Sequence, residues 1–235
     1  MSEQNARRAI LDAAERMFAV HGFEGASMRH IAQEAGVAQA LLHYHFGTKE
    51  KLFEVMFSRR SDEINRRRAQ SLDRLFGPQA ANPPTLAELL EALFRPTVAF
   101  GHEGQAGNFF SRILATTANA DDERSCALIS AHYDPIAQRF IDALQQVVPG
   151  LDRGDAVWAY MFAIGVGMTM MAATGRAGRL SDGACDDRDV DAVMAHVVPF
   201  ISGGLMAMSQ DGRAAKDASG PAGKKRAPRQ PRRKQ

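Results

Sequence analysis

Apolar residues return every three or four positions along nearly the whole chain, and no sustained alternation over a Val/Ile/Thr-rich run interrupts them. A helix turns once in 3.6 residues, whereas strand side chains change face at every residue, so this spacing predicts an all-α fold. The first helix displays the pattern: Ile10, Ala14, Met17 and Phe18 share one face, Arg7, Glu15 and Arg16 decorate the rest, and Gly22 supplies the stop. Ser27 caps a short helix, MRHIAQEA, that Gly36 ends. A third short helix covers roughly 38–45, and Thr48 caps a fourth that runs to about Phe76. Ala35-Gly36-Val37 is then a three-residue turn between two short helices, a helix-turn-helix arrangement.

The stretch GPQAANPP (77–84) reads as a linker, and Thr85 followed by Glu88 forms a capping box that opens the next helix. Further helices are expected near 86–100, 108–118, 124–148, 154–175 and 188–209, joined by GHEGQAGN, ANADDE, PGLDRG and RAGRLSDGACDD. Pro96, Pro135 and Pro199 fall inside these runs, where a missing N–H and a ring clash should kink or split them.

Composition bounds the function. Of 235 residues, 45% are hydrophobic and 24% charged, which is ordinary for a folded protein with a sizeable core. The formal charge of +2 conceals a division: residues 1–75 carry 12 Lys+Arg and 10 Asp+Glu, residues 76–209 carry 8 and 15, and residues 210–235 carry 9 and 2. That last segment holds no aromatic or large aliphatic residue, so burial cannot offset its ordering entropy, and a disordered basic tail is expected. Such a tail either adds sequence-independent attraction to nucleic acid or solubilises the chain. Cys126 and Cys185 stand far apart without a CxxC pair, which argues against a zinc site or a disulfide framework and fits a reducing cytosol. No signal peptide is expected in residues 1–25. The most apolar stretch, AVWAYMFAIGVGMTMMAATG (156–175), carries glycines and follows Asp152, Arg153 and Asp155, so no membrane span is expected there.

The segment ILDAAERMFAVHGFEGASMRHIAQEAGVAQALLHYHFGTKEKLF (10–53) resembles the DNA-binding part of the TetR/AcrR transcriptional regulators. That pattern runs AAxxxFxxxGF, then T/S-x-xxIAxxAGV, then a helix ending YxHFxxKexL. Ala13, Ala14, Phe18, Gly22, Phe23, Ser27, Ile31, Ala32, Ala35, Gly36, Val37, Tyr44, His45, Phe46, Lys49 and Leu52 fall in register with it. Two positions depart: His43 stands where an aromatic is common and Ala40 where glycine is frequent, so base preference does not carry over. The resemblance implies three domains. They are a helix-turn-helix DNA-binding domain at 1–53, a helical ligand-binding and dimerisation domain at 54–209 reached through the long fourth helix, and the basic tail at 210–235.

The residues of this region have their own physical reading. Ala32 and Gly36 are small where two helices must cross closely, and Ile31, Val37, Leu42 and Phe46 form the seam that holds the third helix. Gln39, Ala40, Leu41, His43 and Tyr44 are left to face the major groove, where glutamine pairs with an adenine edge and alanine or leucine meets a thymine methyl. By resemblance, Tyr44, His45 and Lys49 contact phosphate. Thr48 and Lys49 open a helix whose free N–H groups favour an anion, and Ser27 and Arg29 flank the DNA backbone. Metal ligation by His43 and His45 is disfavoured, because positions two apart on a helix point to different sides.

In the second domain, Phe109, Phe110, Tyr133, Trp158, Met161 and Phe162 supply aromatic and thioether surface for an apolar pocket, with packing alone as the plainer alternative. A weaker resemblance, YHFGTKEKLF with the ending VMAHVVPFISGGLMAM, is to the fatty-acid and acyl-coenzyme A responsive branch of the family. An anionic effector would need cations, and Arg112 and Arg139 lie on pocket-candidate helices. The acidic balance of residues 76–209 suits a neutral or cationic aromatic compound better. Gly165, Gly167, Ala172 and Ala173 allow close helix approach, either across a two-fold interface or within one subunit. No Ser/His/Asp nucleophile motif, phosphate loop, HExxH or EF-hand spacing occurs, so neither an enzyme nor a cofactor is expected. The expectation is a cytoplasmic homodimeric repressor, released from a palindromic double-stranded operator by a small apolar effector. A ligand-independent architectural DNA-binding protein is the alternative.

Overall fold

The computed structural model describes residues 2–78, 80 and 82–209, and the basic segment 210–235 lies outside them. Ten helices and no strand occur among the described residues: α1 Glu3–Gly25, α2 Met28–Glu34, α3 Gln39–Phe46, α4 Lys49–Phe76, α5 Leu86–His102, α6 Gly104–Ala118, α7 Glu123–Val147, α8 Arg153–Met171, α9 Arg176–Leu180 and α10 Val190–Met208.

Side-chain caps set most of the helix starts. Ser27 accepts the His30 N–H at 3.2 Å, Thr48 the Lys51 N–H at 3.2 Å and Asp152 the Asp155 N–H at 2.8 Å. Thr85 and Glu88 make the reciprocal capping box, with Glu88 Oε2 2.8 Å from the Thr85 nitrogen. Gly22 does break α1, with φ +69°, but the helix resumes for one more turn to Gly25. Gly36 turns the chain between α2 and α3 at φ +66°; a Cβ there would meet nothing within 4 Å, so backbone conformation alone calls for glycine.

Three expectations need correcting. The helices run unbroken through Pro96, Pro135 and Pro199. Around Pro96, buried Leu93, Phe94, Thr97 and Val98 hold the axis across the missing hydrogen bond. Helix α8 ends at Met171, not 175; of the stretches read as loops, RAGRLSDGACDD contains the five-residue α9 and GHEGQAGN is helical on both sides of Glu103. The 156–175 stretch, where no span is expected, does not qualify as one; among the described residues the helix long and apolar enough to span a membrane is α10. Its Val193, Met194, Val197, Ile201 and Leu205 form a buried stripe against the rest of the fold.

The apolar core does not divide at residue 53. One cluster joins Ile10, Phe18, Ile31, Leu42 and Leu52 of the first four helices to Phe57 and Ile64, and through them to Phe100, Phe110 and Leu128. A second gathers Leu72 with α5, α7, α8 and α10 around Phe94, Phe140 and Tyr160. Helix α4 belongs to both clusters and connects α3 to the rest of the molecule.

Candidate DNA-binding face and effector cavity

Helix α3 is anchored by Leu42 and Phe46, which are buried, and this fixes what its other side offers. Gln39, Ala40, His43 and Tyr44 are exposed, Tyr44 at 77%, while Leu41 and His45 are half-buried. Arg29 is exposed on α2, and Ser27 is half-buried with its oxygen engaged as a cap. Gln39 and His43 are linked: the glutamine nitrogen lies 3.3 Å from His43 Nε2, and His43 Nδ1 lies 2.8 Å from the Gly47 carbonyl oxygen. Since a carbonyl only accepts, Nδ1 carries the proton of that bond, and in the neutral tautomer Nε2 is left to accept from the amide.

Two expected phosphate contacts are placed otherwise. Lys49 turns its ammonium inward to the carbonyl oxygens of Phe23 at 2.9 Å, Ala26 at 3.3 Å and Glu24 at 3.5 Å, and over the Phe23 ring at 4.4 Å. Its three protons thus tie the α1–α2 connection to the start of α4. His45 has its Nε2 buried without a partner, so that nitrogen is not offered to solvent. The N-terminus of α4 already holds an anion. The Glu50 carboxyl lies below the usual carboxylate range because its own backbone N–H and the Thr48 hydroxyl stabilise the charged form.

Between α1, α4 and α6 lies an open polar cleft of about 950 Å³, lined by arginines including Arg59 and Arg60, and by Asp12, Glu15 and Phe109. Glu15 is buried there and bridges Arg59 at 3.1 Å and Arg60 at 2.8 Å, joining α1 to α4. Burial raises its carboxyl above the ordinary value, although both guanidinium groups pull it down.

A cavity of about 300 Å³ sits among α4, α5, α6, α7 and α8, walled by Ile64, Phe94, Leu114, Ile129 and Ile164. Its polar lining is Arg68, Thr97, Asn119, Tyr133, Asp134 and Tyr160. Of the residues expected to wall a pocket, Tyr133 and Met161 line this cavity and the others do not. Phe110 is packed against Phe57 and Phe100 in the core. Arg112 is exposed beside a groove formed with Phe18 and Phe53. Arg139 pairs with Asp73 at 2.5 Å. Trp158 and Phe162 stack on each other at 5.8 Å on the outer side of α8, 60% and 57% exposed.

Sequence reasoning also missed a polar pin between α4 and α7. His132 Nε2 lies 2.9 Å from Ser58 Oγ, its Nδ1 3.2 Å from Asp62 Oδ1, and its carbonyl accepts from Asn65 Nδ2 at 2.7 Å. Ser58 also donates to the Glu54 carbonyl at 2.8 Å, so its proton is directed along the helix and the trio clamps two helices.

Among the described residues, which are helical throughout their regular structure, the short second and third helices cross over a tight glycine turn with a polar exposed face on the third, the arrangement of a helix-turn-helix DNA-binding head. Two family models match it: bacterial regulatory proteins, tetR family, over residues 10–56, and the tetracyclin repressor-like C-terminal domain over residues 91–204. The chain belongs to the TetR family of transcriptional regulators. It is 47% identical over 49 residues to the transcriptional repressor AcnR of Corynebacterium efficiens, spanning 21% of this chain and 26% of AcnR. It is 34% identical over 102 residues to the regulatory protein RaaS of Mycobacterium tuberculosis, spanning 42% and 44%. The match therefore covers less than half the length of either relative. In structure it is similar to the fatty acid degradation regulator FadR of Bacillus halodurans, at TM-score 0.59 and 16% identity over 82% of this chain and 94% of that one. It is also similar to AibR, solved with isovaleryl coenzyme A and operator DNA, at TM-score 0.56 and 20% identity over 87% and 97%.

Proposed function

We propose that this protein is a cytoplasmic homodimeric repressor that leaves a palindromic operator when a small molecule fills the cavity between α4 and α8. The observation that carries the reading is that one helix, α4, follows directly on the exposed α3 face and reaches the cavity through Ile64 and Arg68. An effector that prefers one placement of α4 then biases the placement of α3, which is what coupling between the two sites requires. Gln39 and His43 read bases, Tyr44 and Arg29 hold the backbone, and Lys49 keeps the α1–α2 connection in place for them.

The outer faces of α8 and α10 support dimerisation. Trp158, Phe162 and Phe200 are exposed there, and on α10 Gly203 and Gly204 have open space where a Cβ would stand, a surface suited to close helix approach. Gly167, by contrast, faces Phe94 within the subunit, 3.1 Å from where its Cβ would lie.

Selection of duplexes from a random pool tests the reading. The full chain should enrich a two-fold symmetric site, and Trp158→Glu should sediment as a monomer and lose that symmetry. Gln39→Ala should relax preference at one base pair per half-site, by about 1–3 kcal/mol for a bidentate contact. Enrichment of no sequence at all would favour the architectural alternative.

A further inference from the structure

Arg68 is the feature of the cavity that the fold does not account for. Its residue is 3% exposed, on the buried stripe of α4 that also carries Phe57, Ser61, Ile64 and Leu72. The guanidinium stays charged in proteins, and its hydrogen bonds run to neutral acceptors: Nε to the Leu93 carbonyl at 3.1 Å and Nη1 to Asn65 Oδ1 at 3.5 Å. Among the described residues no carboxylate lies within ion-pair distance of it. A buried charge held only by neutral groups is unfavourable unless a counter-charge joins it.

A second group shows the same deficit. Thr97, 4% exposed, lines the same cavity, and its Oγ1 is buried with no hydrogen-bond partner. Tyr133 Oη accepts the Ser61 hydroxyl at 3.2 Å, leaving its own proton to donate. Burial pushes that phenol up to about 12, so it remains a donor at neutral pH. The acid among the lining residues, Asp134, is exposed and takes the Ser130 hydroxyl at 2.6 Å, which leaves the inner end of the cavity cationic.

We propose that the effector is a compact apolar monocarboxylic acid whose carboxylate pairs with Arg68 and accepts from Thr97, its hydrocarbon body filling the space walled by Ile64, Leu114 and Ile164. This rests on the cavity being the effector site. A volume of about 300 Å³ is at the small end for ligand pockets, so the coenzyme half of a thioester would stay outside. A thioester also brings no carboxylate to the arginine. The carboxylate would give Arg68 the bidentate planar partner it lacks.

Calorimetric titration of the full chain with octanoate, phenylacetate, octanamide, octanol and octanoyl-coenzyme A tests this. One of the two acids should bind at least tenfold tighter than the amide and the alcohol, and should release operator over the same concentration range. Octanoate against phenylacetate separates aliphatic from aromatic bodies. In Arg68→Gln the acid-to-amide ratio should fall to about one, and Thr97→Val should weaken the acid more than the amide and so narrow it. If Arg68→Gln does not fold, the acid-to-amide ratio on the unaltered chain and on Thr97→Val decides. Amide, alcohol or thioester binding as tightly as the acids would overturn the carboxylate assignment and leave the cavity as the effector site. No binding by any of the five would overturn the effector site as well.

Discussion

Tyr44 and Lys49 stand five positions apart and were both expected to touch phosphate, yet their surroundings give them different work. Tyr44 is largely exposed, so Tyr44→Phe should weaken binding to every duplex alike while leaving the melting temperature unchanged. Lys49 donates to three carbonyls, and a hydrogen bond to a charged group is worth about 1.5–3 kcal/mol. Lys49→Ala should therefore lower thermal stability by roughly that amount and lose operator affinity as a consequence. Melting curves beside binding curves distinguish the two; a Lys49→Ala chain as stable as the parent but weak on DNA would restore the phosphate role. Sequence showed where these residues lie and not where their charges go. A lysine at a helix start has the same spacing signal whether it reaches out to a phosphate or back to the preceding turn. Arg68 illustrates the converse: it lies in the apolar phase of α4, four residues after Ile64 and four before Leu72, yet spacing alone does not distinguish a buried cation from one that reaches solvent.

Capped helix starts were the most legible features because caps are local, and the uncapped starts of α6 and α9 were not foreseen. Ser27, Thr48, Thr85 and Asp152 each bond a backbone N–H within three residues, so no distant partner is needed to predict them. Helix faces were legible only in part. Periodicity separates sides only where one is polar, and α8 is apolar nearly all round: Ala159, Tyr160 and Ala163 are buried, whereas Trp158 and Phe162 point away from the subunit. Which apolar face meets a ligand and which meets another protein is a property of tertiary placement, and the aromatic count could not decide it. The capping box at α5 gives a pH prediction. Hydrogen bonds from the Thr85 backbone and hydroxyl hold the Glu88 carboxyl below its ordinary 4.5. Its contribution is complete above that value and is lost as pH falls through the depressed one. Glu88→Gln should therefore destabilise the chain at neutral pH and differ little from the parent in strong acid, a convergence that melts at pH 7 and pH 2 would reveal. A constant difference at both would show that the charge is idle.

Across the whole molecule, the continuous core means that the groove-facing helix and the cavity cannot move as independent bodies; Phe57 and Ile64 pack into the same cluster as Ile10 and Leu42. On the proposed reading, effector binding rotates long elements over one another, with the His132 pin between α4 and α7 as the pivot. At 1.5 Å per residue, the turn bearing Ser58 and Asp62 lies about 16 Å from Lys49 and about 12 Å from Arg68. A rigid rod held at such a point is a seesaw: a displacement of 1 Å at Arg68 would appear as roughly 1.4 Å at the α3 end, in the opposite direction. In two subunits related by a two-fold axis, the components of the swing perpendicular to that axis are opposite, so the change in separation between the recognition helices along the line joining them is doubled. His132→Ala should leave effector affinity near its original value but blunt operator release, because a rod without a fulcrum translates instead of tilting. A variant that binds effector and lets go of DNA as before would place the pivot elsewhere.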